Sequence, residues 1–123
     1  QYLIGSHDFS SFRAQGCQSK SPWREMYFID VYRDDDRVIM DISANAFLHH
    51  MVRNIAGALM EVGMAKQPID WLASLLTVKN RTLAGVTAPP DGLYLGAVYY
   101  PELYGIARHP IFAKLPPDAR RFN

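Results

Sequence analysis

The sequence has one cysteine, no long hydrophobic run and almost no net charge, and each shortage excludes a class of protein. Cys17 alone cannot form an intrachain disulfide framework, and it weakly favours a reducing compartment. No apolar run approaches the roughly 18 residues that a membrane-spanning helix needs, so we expect no membrane partner. The 13 Lys and Arg against 12 Asp and Glu give a net charge of +1, and the chain as a whole has no general attraction for nucleic acid.

The common motifs of metal and phosphate chemistry are also missing. There is no H-E-x-x-H, no C-x-x-C and no glycine-rich phosphate loop. His49 and His50 would lie about 100° apart on a helix, so we interpret them as helix-surface or core-edge residues. The acidic run 34–36 could hold a metal, but consecutive carboxylates in a short turn usually face water. Cys17 lies in a polar loop without a catalytic signature. The sequence therefore predicts no metal site.

The length suits one compact domain. A chain of 123 residues is long enough for one core and too short for two ordinary ones. The chain begins at Gln1, and the apolar residues Tyr2, Leu3 and Ile4 are typical of the interior of an element. We expect it to be a piece of a longer protein.

Hydrophobic periodicity predicts the order β-β-α-α-β. A β-branched and aromatic run within 24–44 predicts a hairpin that turns at the acidic run. Apolar residues at spacings of three and four predict a helix over 47–65, with Asn45 as its N-cap and Gly63 near its end. Three further segments complete the prediction: a helix from Pro68 to about Asn80, a loop over 81–92, and a strand over 93–100 buried on both faces.

This order predicts an α+β fold, with an antiparallel or mixed sheet and helices packed on one face. Three strands make a thin sheet, so further strands are expected from another segment. Residues 105–123 are rich in proline and basic residues, which predicts a tail that lies on the surface or is ordered by a partner.

A basic stretch and a single arginine are the strongest candidate functional features. Between Arg13 and Arg24 the chain carries three basic residues and no acid, so this loop could follow a phosphate backbone or simply be solvated. Arg53 interrupts the apolar helix. It must either extend to solvent or be held against an acid, a phosphate or a base. If it is buried, Asp41 and Asp30 are the available carboxylates.

The chain resembles the C-terminal half of the tRNA pseudouridine synthase A family. The most specific block is 44–55 (ANAFLHHMVRNI), and the resemblance covers roughly residues 1–104. The other blocks occur in the family's order: 7–13 (HDFSSFR), 17–19 (CQS), 81–89 (RTLAGVTAP) and 92–95 (GLYL).

The resemblance implies a domain over 1–104 that forms one ferredoxin-like half of a cytoplasmic homodimeric enzyme. Such an enzyme isomerises uridine to pseudouridine in the anticodon stem-loop of tRNA, without metal or organic cofactor. The target base must leave the stack to react. The family's catalytic Asp lies in an R-T-D-x-G-V-H motif of the other half, and that motif is absent here, because Leu83 stands where the Asp would be. The fragment alone is therefore expected to be inactive.

The resemblance also assigns roles to individual residues. Arg53 would pair with the absent catalytic Asp, and Leu93 would line the uracil pocket, although it could equally be an ordinary strand core residue. The matching tRNA-contact loop comprises Gly16, Cys17, Gln18, Ser19 and Lys20.

Two other interpretations stay open at this level. The chain could be a stand-alone, non-catalytic RNA-binding or assembly module of α+β type, or it could be a purely structural dimerisation domain. An R-T-D-x-G motif upstream of Gln1 would decide for the enzyme.

Overall fold

The computed structural model describes residues 1–100 together with 104 and 105. Three strands and two helices follow one another along the chain, with a 3-10 turn at Ser10–Phe12 and another at Arg81–Leu83. The strands are β1 (Gly5–Asp8), β2 (Trp23–Asp34) and β3 (Arg37–Ala44), and the helices are α1 (Met51–Gly63) and α2 (Trp71–Val78). The α+β class is confirmed. The predicted tail beyond 105 lies outside the described residues, and the domain boundary at 104 stays a prediction.

The sheet is antiparallel in the order β1-β2-β3. The predicted hairpin is confirmed: Asp34 pairs with Arg37 across a turn of two residues. Asp35 there has φ +57°, which aspartate tolerates better than most residues. All three residues of the acidic run are exposed. A bulge between Met26 and Phe28 shifts the register of the hairpin.

β1 is a strand that the sequence did not predict. Its residues, GSHD, have little β propensity. They pair with β2 from Gly5↔Met26 to Asp8↔Trp23, so the neighbouring strand and not local preference makes this segment extended.

The first helix begins four residues later than predicted. His50 has φ +59°, a left-handed conformation that cannot continue a right-handed helix toward its N-terminus. Asn45 does not cap the helix. Its Oδ1 accepts hydrogen bonds from the backbone N–H groups of Glu25 and Ala46, both at 2.9 Å, and so ties the end of β3 to β2. The end at Gly63 agrees with the prediction.

One hydrophobic core joins the sheet, both helices and the first 3-10 turn. Met51, Ile55 and Ala58 of α1 are fully buried, at the spacing of one helix face. Two other apolar residues of the predicted helix, Phe47 and Met60, are exposed. The other core residues are Leu3, Phe9, Phe12, Met26, Leu48, Leu72, Leu75 and Ala84.

The predicted strand over 93–100 is wrong. The segment forms no strand, and Tyr94 and Leu95 are 84% and 81% exposed instead of buried. Alternating apolar residues can supply a face for packing, but a strand also needs the backbone of a neighbouring strand. Within the described chain the free edges of the sheet belong to β1 and β3, and this segment pairs with neither.

The loop after α2 packs directly on α1 at Gly57. A Cβ at this position would lie 1.8 Å from the carbonyl oxygen of Val86, which is far inside van der Waals contact. Gly57 is therefore a site of close backbone packing, where only a residue without a Cβ fits.

We expect Gly57→Ala to destabilise the fold by about 2–3 kcal/mol, because the loop backbone must move to admit the methyl group. Gly63→Ala is the matched control, since no atom lies within 4 Å of the Cβ it would add. It should be neutral or stabilising by up to about 0.5 kcal/mol. Urea unfolding of both variants measures the difference, and equal free energies of unfolding would contradict the close packing.

Candidate functional site

Two arginines give the basic loop its shape. The guanidinium of Arg13 donates from Nη2 to the carbonyl oxygens of Cys17, at 3.2 Å, and Ser19. Arg24 donates from Nη1 to the carbonyls of Ser21 (2.9 Å) and Trp23 (2.6 Å), and from Nη2 to Ser19 Oγ at 2.7 Å. Both guanidinium groups therefore fix the backbone of the loop through hydrogen bonds. A merely solvated loop would not need such bonds.

The five predicted loop residues divide into an exposed set and a half-buried set. Gly16, Gln18 and Lys20 are exposed, and Cys17 and Ser19 are half-buried. Gly16 has φ +82°, a conformation that strongly favours glycine. Because Arg13 and Arg24 are engaged internally, Lys20 is the basic side chain of the loop that projects into solvent.

The loop is joined to the turn that precedes α1. The Ala14 N–H donates to the His49 carbonyl at 3.0 Å. Hydrogen bonds from the backbone N–H groups of His49 and Ser19 lower the pKa of the Cys17 thiol, and the nearby Arg13 guanidinium lowers it further, against a smaller opposing effect of burial. The structure thus bonds the loop to His49, which lies four residues before Arg53 in the chain.

A group of basic side chains occupies the N-terminal end of α1. The rings of His49 and His50 stack with centroids 3.9 Å apart, and both precede the helix instead of lying on it as predicted. Partial desolvation lowers the pKa of His50, and the positive charges of His49, Arg53 and Arg81 lower it further. His50 therefore carries less positive charge at a given pH than an ordinary histidine.

Arg53 is half-buried and held at one edge of its guanidinium. Its Nε donates to the Ala88 carbonyl at 2.9 Å, and its own carbonyl accepts from the Ala88 N–H at 3.1 Å. Neither Asp41 nor Asp30 forms an ion pair with it, and Asp41 instead takes a hydrogen bond from the Tyr32 hydroxyl. Within the part of the chain that the structure describes, Nη1 and Nη2 of Arg53 make no hydrogen bond. Over these residues, the fork of the guanidinium therefore has no acceptor.

Sequence reasoning missed the polar cluster beside Arg53. Asn54 is 1% exposed, and its Oδ1 accepts from Arg81 Nη2 (3.0 Å) and from Thr87 Oγ1 (2.6 Å). Its Nδ2 donates to the Phe12 carbonyl at 2.8 Å. The one available signal was a polar amide in the buried stripe, between Arg53 and Ile55.

Leu93 lies apart from these contacts. It is 48% exposed, and its N–H donates to the Pro90 carbonyl in a turn at 3.0 Å. The structure therefore does not support Leu93 as a core residue of a strand.

Over residues 1–100 and 104–105, no three His, Cys, Asp or Glu side chains converge in a way that could hold a metal ion. In the same residues, no helix is long and apolar enough to cross a membrane.

Comparison with known proteins gives consistent matches. A family model described as tRNA pseudouridine synthase matches residues 1–101. The chain is 61% identical to a tRNA pseudouridine synthase A of Methylococcus capsulatus over 99% of its own length and 45% of that protein. It is 56% identical to proteins of the same name from Histophilus somni and Haemophilus influenzae, over 90% of its length and 41% of theirs. The chain thus spans less than half the length of these relatives.

The hydrogen bonds to the Cys17 sulfur predict a measurable shift in its reactivity. The rate of alkylation by iodoacetamide between about pH 6 and pH 10 should have its midpoint at lower pH in the folded protein than in urea, because only the folded loop supplies the His49 and Ser19 N–H groups. The midpoint is compared and not the rate, since half-burial slows the reaction at every pH. Identical midpoints would contradict the contact.

Proposed function

Because this chain belongs to the tRNA pseudouridine synthase family, we propose that it is the C-terminal half of an enzyme that isomerises uridine to pseudouridine in the anticodon stem-loop of tRNA. The reaction breaks the bond between the ribose and the ring nitrogen, rotates the base and rejoins it through carbon. It needs no external oxidant or reductant, since the product is an isomer of the substrate. We expect it to proceed without metal or organic cofactor, in a cytoplasmic homodimer.

The observation that carries this proposal is the half-engaged guanidinium of Arg53. Its Nε is fixed on the Ala88 carbonyl, which orients the plane of the group. A planar fork with two free amino groups fits a carboxylate in bidentate geometry. The described residues supply no carboxylate to it. We assign that acceptor to the catalytic Asp of the other half of the enzyme.

Pairing with Arg53 would keep the Asp ionised and oriented toward the flipped uridine. An adjacent guanidinium favours the charged form of a carboxyl group and lowers its pKa. His50, whose own pKa is lowered, carries less positive charge there than an ordinary histidine, so we assign the local positive field mainly to Arg53 and Arg81.

The loop at 16–20 is assigned to tRNA contact. Lys20 projects into solvent and can meet a phosphate, while Gln18 and Ser19 can hydrogen-bond RNA. The half-exposed Leu93 is proposed to line the uracil pocket, where an apolar side chain can pack on the base. A non-catalytic binding module is less well supported, because the relatives carry the name of a synthase.

We expect Arg53→Ala in the complete enzyme to reduce turnover on the order of a hundredfold, since it removes the charge that orients the Asp. The dissociation constant for tRNA should change far less. Arg33→Ala is the control, because Arg33 is an exposed arginine on the hairpin. Single-turnover pseudouridine formation and a tRNA binding titration separate the two quantities. Equal losses in both would contradict the assigned role.

Lys20→Gln should weaken binding about equally for all tRNA substrates. It should also lower the slope of log Kd against log salt concentration by about the amount expected for one phosphate contact. Arg24→Gln should weaken binding as well, but with altered loop structure, because Arg24 holds Ser21 and Trp23. Lys66→Gln is the matched control, since Lys66 follows the opposite end of α1. An unchanged salt slope for Lys20→Gln would count against phosphate contact.

A further inference from the structure

Arg81 fixes the loop segment 85–88, whose Ala88 carbonyl accepts a hydrogen bond from Arg53. From the start of the second 3-10 turn, its Nη1 donates to the Gly85 carbonyl at 2.8 Å, and its Nη2 donates to Thr87 Oγ1 at 2.8 Å and to Asn54 Oδ1 at 3.0 Å. One guanidinium therefore joins both sides of the bend at 85–87 and attaches the bend to α1.

Asn54 anchors this arrangement in the core. Its amide is fully buried, and its Nδ2 is fixed by the Phe12 carbonyl at 2.8 Å. With that end fixed, Oδ1 is held toward the loop, where it accepts from both Arg81 and Thr87. A buried amide with these partners cannot rotate without leaving a polar atom unpaired.

The next residue of the loop fixes Arg53. Ala88 follows Thr87 directly and meets Arg53 through two hydrogen bonds, one to its backbone and one to its Nε. Because one peptide unit separates the anchored Thr87 from the Ala88 acceptor, a displacement of Thr87 moves the carbonyl that orients the guanidinium. The chain of contacts runs from Arg81 through Thr87 and Ala88 to Arg53.

We propose that Arg81, acting with Thr87 and Asn54, is a positioning residue that sets the direction in which Arg53 presents its free fork. This inference rests on the proposed function, because it concerns how Arg53 meets its carboxylate. We assign Arg81 no direct contact with RNA or the reacting base, because three of the five N–H donors of its guanidinium are engaged by atoms of this chain. An error of about 1 Å in a catalytic group can cost on the order of a hundredfold in rate.

Lysine at position 81 keeps the charge but cannot make the forked contacts. In the complete enzyme we expect Arg81→Lys to lower single-turnover rate by about tenfold or more, with the tRNA dissociation constant within about twofold of the parent. Thr87→Val should have a similar effect, because it removes the hydroxyl with little change in shape. Thr87→Ser keeps the hydroxyl and should restore the rate.

A double-mutant cycle tests whether Arg81 acts through Arg53. In an Arg53→Ala background, adding Arg81→Lys should cost no more than about twofold, because coupled residues are not additive. Leu72→Ala is the folding control. It truncates a buried core side chain of α2, and it should lower the Tm while leaving the rate near that of the parent.

The outcomes separate this inference from the proposed function. A large loss in Arg53→Ala combined with a fully additive loss in the double variant would overturn the positioning role alone. A loss of tRNA affinity instead of rate in Arg81→Lys would also overturn it, in favour of direct RNA contact. Full turnover by Arg53→Ala would contradict the proposed function, and the positioning role with it. If Arg81→Lys fails to fold, the Thr87→Val and Thr87→Ser pair decides, and equal rates for those two would overturn the inference.

Discussion

The attachment of the loop after α2 to one face of α1 is the constraint on which the rest of the site depends. It combines a buried amide, Asn54, with a position that admits no side chain, Gly57. The hydrogen bonds of Asn54 set where the loop lies, and the missing Cβ of Gly57 lets its backbone approach the helix. Because close-packed protein interiors do not deform gradually, these two contacts fix the position of the loop. The Ala88 carbonyl is thereby held within hydrogen-bond distance of Arg53.

The basic side chains of this face divide into those that build the site and those left free for a ligand. Arg13, Arg24 and Arg81 donate mainly to backbone carbonyls and neutral side-chain oxygens. Lys20 and the fork of Arg53 are left available over the described residues. An arginine suits the first task because its fixed donors can bridge several acceptors at once. Because the acceptors of the first group are neutral, those arginines keep their charge, and the net charge of +1 understates the positive field at this face.

Sequence patterns anticipated the elements whose formation depends on local preference. The hairpin follows from β-branched runs on either side of an acidic turn, and both helices follow from apolar spacing. The patterns failed where a distant partner decides. β1 is extended because β2 pairs with it, and the segment over 93–100 is not a strand because neither free sheet edge pairs with it. The start of α1 depends on His50 at φ +59°, which no periodicity indicates.

The amino-acid sequence alone was enough to identify the family, the α+β class, the odd arginine of α1 and the basic loop, because these depend on residue types in order along the chain. It could not show which cations are already engaged. The sequence does not distinguish Arg81 from Arg53 in this respect. Arg81 donates hydrogen bonds to Gly85, Thr87 and Asn54, whereas Nη1 and Nη2 of Arg53 have no acceptor among the described residues. That difference arises only when residues 27 and 35 positions apart along the chain come into contact, since hydrogen-bond partners are assigned by distance in space.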